Sequence, residues 1–185
     1  MMRVIAGKYK ARKIKSPTNK RIRPTSDKAK EMIFSTLSSI LEKQNKLIQE
    51  MITIDAFCGT GSLGIEAISR GAKKVIFIDN DESSLKLVLQ NCEELEIFNK
   101  TLIKLDLKEF TYKLERADLI FLDPPYGKFN LNNLVEKICI KKILKPDGIG
   151  IIETSKEFEL NESKLFTIIN KKKNGNSIFY FFRNK

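Results

Sequence analysis

Asp123-Pro124-Pro125-Tyr126 follows directly on the apolar run ADLIFL. Two prolines at a strand end fix φ and donate to no ladder, so one reading is simply a device that redirects the chain. A chemical reading starts from the acceptors. The Asp123 carboxylate and the Pro124 carbonyl, left free because Pro125 has no N–H, can take both hydrogens of an exocyclic amino group on a base. Held that way, a conjugated nitrogen is drawn toward tetrahedral geometry, and the positive charge growing on it is stabilised. Tyr126 offers a ring on which a base taken out of its helix can stack. Such chemistry runs on positioning and electrostatics and needs no imidazole. The chain contains no His, which also removes Ser-His-Asp and Cys-His sites, HExxH metalloproteases and His-dependent zinc fingers.

A second constellation lies upstream. Asp55-Ala56-Phe57-Cys58-Gly59-Thr60-Gly61-Ser62-Leu63-Gly64 follows an apolar run and leads into a helical pattern. Gly59 and Gly61 permit a tight turn with close backbone approach to a ligand, and Ser62 opens a helix whose N–H groups face it. GTGSLG also satisfies the dinucleotide pattern GxGxxG, which taken alone is a weak signal. Asp79 ends the next apolar run 18 residues after Gly61, where a carboxylate can accept from both ribose hydroxyls. NAD and S-adenosylmethionine both suit that spacing. Asp55 favours the second, because its carboxylate would repel a pyrophosphate and attract ammonium and sulfonium charge. Asp106 ends the third run and could accept from an adenine amino group, or merely begin a helical turn. The candidate cofactor set is therefore Asp55, Phe57, Cys58, Gly59, Thr60, Gly61, Asp79, Asn80, Asp106, Leu107 and Asp123, and the candidate catalytic set is Asp123, Pro124, Pro125 and Tyr126.

These residues need a scaffold that ends several strands at one edge. Strand-length apolar runs occur at 51–57, 74–79, 101–105, 117–123 and 148–153, with helical patterns at 62–70, 82–96 and 131–144 between them. Strands apolar on both faces that alternate with helices imply a parallel sheet covered on both sides, a doubly wound α/β domain. Ligands then bind beyond the carboxyl ends of the strands. A helix is expected from Thr25, as N-cap, to about residue 42, and Lys145-Pro146-Asp147-Gly148 reads as a turn. FTIIN (166–170) and SIFYFF (177–182) flank Asn174-Gly175, so the last strand should return antiparallel through a hairpin. Residues 1–24 read as a small strand or hairpin followed by a loop, forming a basic arm, with residues 25–185 as the main domain.

DAFCGTG, IFID and DPPY, in that order, resemble the class I S-adenosylmethionine-dependent methyltransferases that modify amino groups. More narrowly, GKYKARKIKSP, RIRPTSDKAKEMIFSTL and DAFCGTGSLGIEAISRGA resemble the RsmD family, over nearly the whole chain. That resemblance implies a Rossmann-like seven-stranded methyltransferase sheet, a small N-terminal extension, and methylation of N2 of a specific guanine in 16S rRNA, with the assembled small ribosomal subunit as preferred substrate. It also implies that Asp55, Phe57, Gly59 and Gly61 form the cofactor loop, that Asp79 binds ribose, that Asp106 lies by adenine and that Asp123 to Tyr126 hold the guanine amino group. Cys58 stands where that family commonly has Ala, and Asp79 where Glu is common. Arg23-Pro24-Thr25 matches the family's RPT segment.

The charge pattern fits a nucleic-acid substrate. The net charge is +11, and residues 1–30 hold eleven Lys/Arg against Asp27 alone. Residues 171–185 add five Lys/Arg and no acid, so basic ends flank a mildly acidic body, as expected of a chain that holds a polyanion. Three cysteines, Cys58, Cys92 and Cys139, spaced by 34 and 47 residues, fit neither a metal clip nor a disulfide framework. With no membrane-length apolar stretch or signal-peptide pattern, the expectation is a reduced, cytoplasmic monomer. Alternatives remain open: an adenine-N6 nucleic-acid methyltransferase, a glutamine-N5 protein methyltransferase, an NAD-dependent oxidoreductase that would leave DPPY unused, or a noncatalytic RNA-binding assembly factor.

Overall fold

A computed structural model describes residues 2–16, 25–108 and 113–185. Arg23 and Pro24, with the loop expected around them, lie outside the described residues. The chain opens with two short strands, β1 (Met2–Arg3) and β2 (Lys13–Ile14), paired antiparallel. Helix α1 (Asp27–Lys43) follows. Strands β3 (Ile52–Ala56), β4 (Lys74–Asp79), β5 (Lys100–Lys104) and β6 (Ala117–Leu122) then alternate with α2 (Ser62–Ser69) and α3 (Glu82–Glu94). Helix α4 (Leu131–Ile140) leads to β7 (Leu144–Ser155), and β8 (Phe166–Asn174) and β9 (Ser177–Asn184) close the fold.

Seven strands form one sheet in the order β5-β4-β3-β6-β7-β9-β8. β3 to β7 pair parallel, and β9 inserts antiparallel between β7 and β8. This is the expected Rossmann-like α/β sheet with a reversed last strand. Alternate residues of each strand enter opposite cores, as the two-residue period demands. Val75, Phe77, Leu119, Phe121, Ile149 and Ile151 pack with α1, α2 and α3, whereas Ile76, Ile78, Ile120, Leu122 and Ile152 pack with α4. Strand order reverses between β3 and β6, and the crevice opens there.

Three local expectations change. α1 is capped by Ser26, whose Oγ accepts from Ala29 N at 3.1 Å, and not by Thr25. Asp27 in the first turn adds negative charge at the positive end of the helix dipole. Lys145-Pro146-Asp147-Gly148 does turn, but inside the span of β7: Leu144 faces Ala117 and Ile149 faces Leu119, so four residues loop out of the ladder between them. Proline has no N–H for that ladder, which is why the excursion falls there. α4 ends at Ile140, earlier than the apolar pattern suggested, because the chain turns through Lys142 at positive φ (53°) and Leu144 already belongs to β7.

The first sixteen residues are bound into the body. Met2, Val4 and Ile14 join the α1–α2–α3 core. Glu66, fully buried on α2, accepts from Ile5 N and Ala6 N at 2.8 and 3.0 Å and from Arg70 Nε at 2.8 Å. A buried carboxylate is tolerable only when so neutralised and hydrogen-bonded. Lys30, also fully buried, donates to Arg3 O and pairs with Asp27. Asn91 receives Lys15 N and returns its amide to Lys15 O and Thr60 O. The N-terminal segment thereby reaches the turn between β3 and α2.

Candidate functional site

A cleft of about 780 Å³ opens at the carboxyl ends of the strands. Its rim joins the β3–α2 turn, the β4–α3 turn, the segment after β6, the end of β7 and the β8–β9 hairpin. Of the sequence-predicted residues it brings together Phe57, Gly59, Asp79, Asn80, Asp123, Pro124, Pro125 and Tyr126. Asp55, Cys58, Thr60, Gly61, Asp106 and Leu107 do not line it.

The β3–α2 turn is tight. Phe57, Gly59 and Gly61 all take positive φ (59°, 51° and 74°), and Gly61 N returns to Cys58 O at 2.7 Å. Gly64, inside α2, is required for a different reason: a Cβ there would lie 2.3 Å from the Phe77 ring. The missing side chain lets α2 sit directly on β4, bringing the helix start to the cleft. Asp55 lies beneath the turn, 3% exposed, and its Oδ2 accepts from Gly64 N at 2.8 Å. Burial pushes its carboxyl up to about 7; the Gly64 bond opposes the rise and the Asp79 charge adds to it.

Asp79 is the centre of one lip of the cleft. One oxygen accepts from Gly59 N at 3.0 Å and the other from Asp81 N at 2.9 Å, so the carboxylate clamps the β3–α2 turn to the β4–α3 turn. Burial raises its pKa, against the two backbone bonds. Each oxygen keeps a second lone pair for an incoming hydroxyl. Asp81 then caps α3, accepting from Ser83 N at 2.8 Å. Asp106 behaves as the turn residue that the sequence also allowed, its Oδ1 accepting from Lys108 N at 2.9 Å. Cys58 and Thr60 are buried, and Thr60 Oγ1 faces the Met2 sulfur at 3.6 Å. Burial drives the Cys58 thiol well above its ordinary pKa, which disfavours the nucleophilic thiolate.

On the opposite side, Pro124 is buried, Pro125 is exposed, and no donor among the described residues reaches the Pro124 carbonyl. Pro125 O accepts from Lys128 N at 3.2 Å, closing a turn through Gly127. Tyr126 is 49% exposed, its ring on the cleft and its hydroxyl donating to Glu153 Oε1 at 3.2 Å. Ser177 Oγ donates to the same oxygen at 2.6 Å and lies 3.2 Å from the phenol. Burial raises the Tyr126 pKa, and the Glu153 and Asp123 charges push it the same way. Phe57 and Phe129 meet edge to face at 4.9 Å between the two sides.

Sequence reasoning left Glu153 open and missed Ser177, Asn174, Phe129, Lys108 and Lys128, all of which line the cleft. Glu153 had one signal, its place at the end of the fifth apolar run. Ser177 had only its position after a hairpin turn.

The family described as conserved hypothetical protein 95 matches residues 2–183. Ribosomal RNA small subunit methyltransferase D of Haemophilus influenzae is 32% identical over 191 residues, spanning 99% of this chain and 94% of its own length. YlbH of Bacillus subtilis is 34% identical over 167 residues, or 88% of this chain and 87% of its own. The solved yhhF protein of Escherichia coli shares the fold, with a TM-score of 0.84 at 20% identity over 100% of this chain and 98% of that one.

Proposed function

Because the chain belongs to the conserved hypothetical protein 95 family, alongside ribosomal RNA small subunit methyltransferase D, and carries the class I methyltransferase sheet, we propose that it transfers a methyl group from S-adenosylmethionine to N2 of a specific guanine in 16S rRNA of the small ribosomal subunit. One observation carries the reading: the Asp79 lip and the Asp123-Pro124-Pro125-Tyr126 corner face a single cleft.

The donor set suits a sulfonium nucleoside better than a dinucleotide. Gly59 N, Gly61 N and Gly64 N, which a pyrophosphate would use, are already engaged by Asp79, Cys58 O and Asp55. What remains is an acceptor-rich lip, Asp79 with Asn80 and Asp81 beside it, matched to ribose hydroxyls and to positive charge. When bound, S-adenosylmethionine supplies an electrophilic methyl group. The Asp123 carboxylate and the Pro124 carbonyl accept the two amino hydrogens of the target base, turn the nitrogen lone pair toward the cofactor side and stabilise its developing charge. Tyr126 stacks on the base while its hydroxyl stays tied to Glu153. Lys108 and Lys128, the basic residues of the rim among the described residues, face the phosphates.

The test incubates the protein and methyl-labelled S-adenosylmethionine with small subunits from cells lacking the gene, then digests the RNA. N2-methylguanosine at one site is the expected product. N6-methyladenosine would overturn the base assignment, and absence of label on subunits and naked RNA would overturn the substrate class.

A further inference from the structure

The acid on the far wall of the cleft is not needed for the transfer chemistry described above. Glu153 lies two residues before Ser155, the end of β7; Ser155 pairs with Ser177 at the start of β9 and Glu153 with Phe179, so Glu153 and Ser177 are diagonal neighbours on one face of the sheet. The hydroxyls of Ser177 and Tyr126 both reach Glu153 Oε1, at 2.6 and 3.2 Å. Ser177 is 6% exposed, so this oxygen is fixed by a restraint that is itself buried. No donor among the described residues reaches Oε2, although Glu153 lines the cleft. An ionised carboxylate accepts and never donates. A carboxylate oriented through one oxygen therefore presents the other to a ligand that brings an N–H or O–H.

We infer that Glu153 selects the base, its Oε2 accepting the N1–H of guanine while Asp123 and the Pro124 carbonyl hold the adjacent amino group. The inference rests on the methyl-transfer reading and names how that site chooses its substrate. Tyr126 makes the two functions neighbours: it follows Asp123 by three residues, and its hydroxyl sits on Glu153. Guanine carries a ring N–H immediately beside its exocyclic amino group. Adenine and cytosine carry a ring nitrogen lone pair in that position. The same carboxylate that hydrogen-bonds guanine repels those lone pairs, so discrimination comes from attraction and repulsion together. Tyr126 and Ser177 act as positioning residues that keep the acid at one orientation.

The experiment compares wild type, Glu153→Gln and Ser177→Ala on two particles: small subunits lacking the methyl mark, and the same subunits carrying adenine in place of the target guanine. In Glu153→Gln the guanine kcat/KM falls by at least about tenfold. S-adenosylhomocysteine binding by calorimetry stays at the wild-type value. The guanine-to-adenine ratio narrows by roughly tenfold, because an amide N–H can donate to adenine N1. Ser177→Ala keeps the carboxylate but loosens it, narrowing the ratio by a smaller factor, roughly threefold. A purely structural acid would lower stability and leave the ratio alone. N2-methylguanosine from wild type with an unmoved ratio in the two variants overturns this inference only. No guanine label from wild type overturns the methyl-transfer reading and the inference with it. If Glu153→Gln does not fold, an unmoved ratio in Ser177→Ala is sufficient to overturn the inference.

Discussion

The two sides of the cleft are built differently. On the side proposed to hold the cofactor, Asp79 is held by the backbone N–H groups of Gly59 and Asp81, and Asp55 by that of Gly64. These anchors lie within one βαβ unit and depend on the path of the main chain. On the side proposed to hold the base, Tyr126, Glu153 and Ser177 come from three separate segments and hold one another by side chains. Backbone anchors are insensitive to most substitutions of the residues that supply them. A side-chain network fails at every member. The Asp79 side is thus held mainly by the main chain and the Tyr126 side by side chains, and on the proposed reading substrate choice resides in the second.

Breaking that comparison starts with the largest effect. Asp123→Ala should lower methyl transfer by roughly 100- to 1000-fold while leaving S-adenosylhomocysteine affinity intact, measured by labelled transfer and calorimetry on the same preparation. A parallel loss of cofactor affinity would mean that the two sides are one network. Next comes pH. The folded Asp55 carboxyl, raised from its ordinary 3.8 to about 7, binds its proton more tightly than the unfolded one. The stability it contributes is complete below about pH 4 and is lost as pH rises through about 7. Asp55→Asn stays neutral throughout and should gain on the order of 3 kcal/mol relative to wild type between pH 4 and pH 8 in urea unfolding. A difference between the two proteins that does not change with pH would show that Asp55 titrates normally.

Asp79→Ala should weaken S-adenosylhomocysteine binding about 10- to 100-fold, since it removes a charged acceptor from both turns and the ligand at once. The base-side variant Glu153→Gln should leave that affinity alone, which is the sharpest contrast between the two sides. Smallest is Lys128→Ala on the rim. It should reduce the salt dependence of subunit binding by about one charge, with little change in base preference. A lysine substitution that altered base preference would place recognition outside the Glu153 wall.

How legible each side was follows from its construction. Gly59, Asp79 and Asp123 could be read because each ends a strand or opens a turn, and the parallel sheet delivers all such ends to one edge. Asp55 was legible as a strand-end acid, but its direction was not: it faces Gly64 inside the fold and not the cleft. Asp106 was legible as an acid at a strand end, yet the third strand's exit turns its carboxylate back to Lys108 N. Ser177 carried no motif. It reaches the site only because β9 enters the sheet between β7 and β8, a pairing set by the packing of Phe179 and Phe181 on one face and Tyr180 and Phe182 on the other.

Alternation of apolar runs and helices in the sequence already determines the doubly wound sheet, because burying strands on both faces leaves few other topologies. Local chemistry also determines the glycine turn and the proline corner, since each is a matter of φ, spacing and donor count within a few residues. Only the tertiary structure decides which carboxylate faces inward, which oxygen of Glu153 the Tyr126 and Ser177 hydroxyls engage, and that residues 126, 153 and 177 share one wall. Those outcomes depend on strand order and on side-chain rotamers set by long-range packing, to which no local sequence pattern is coupled.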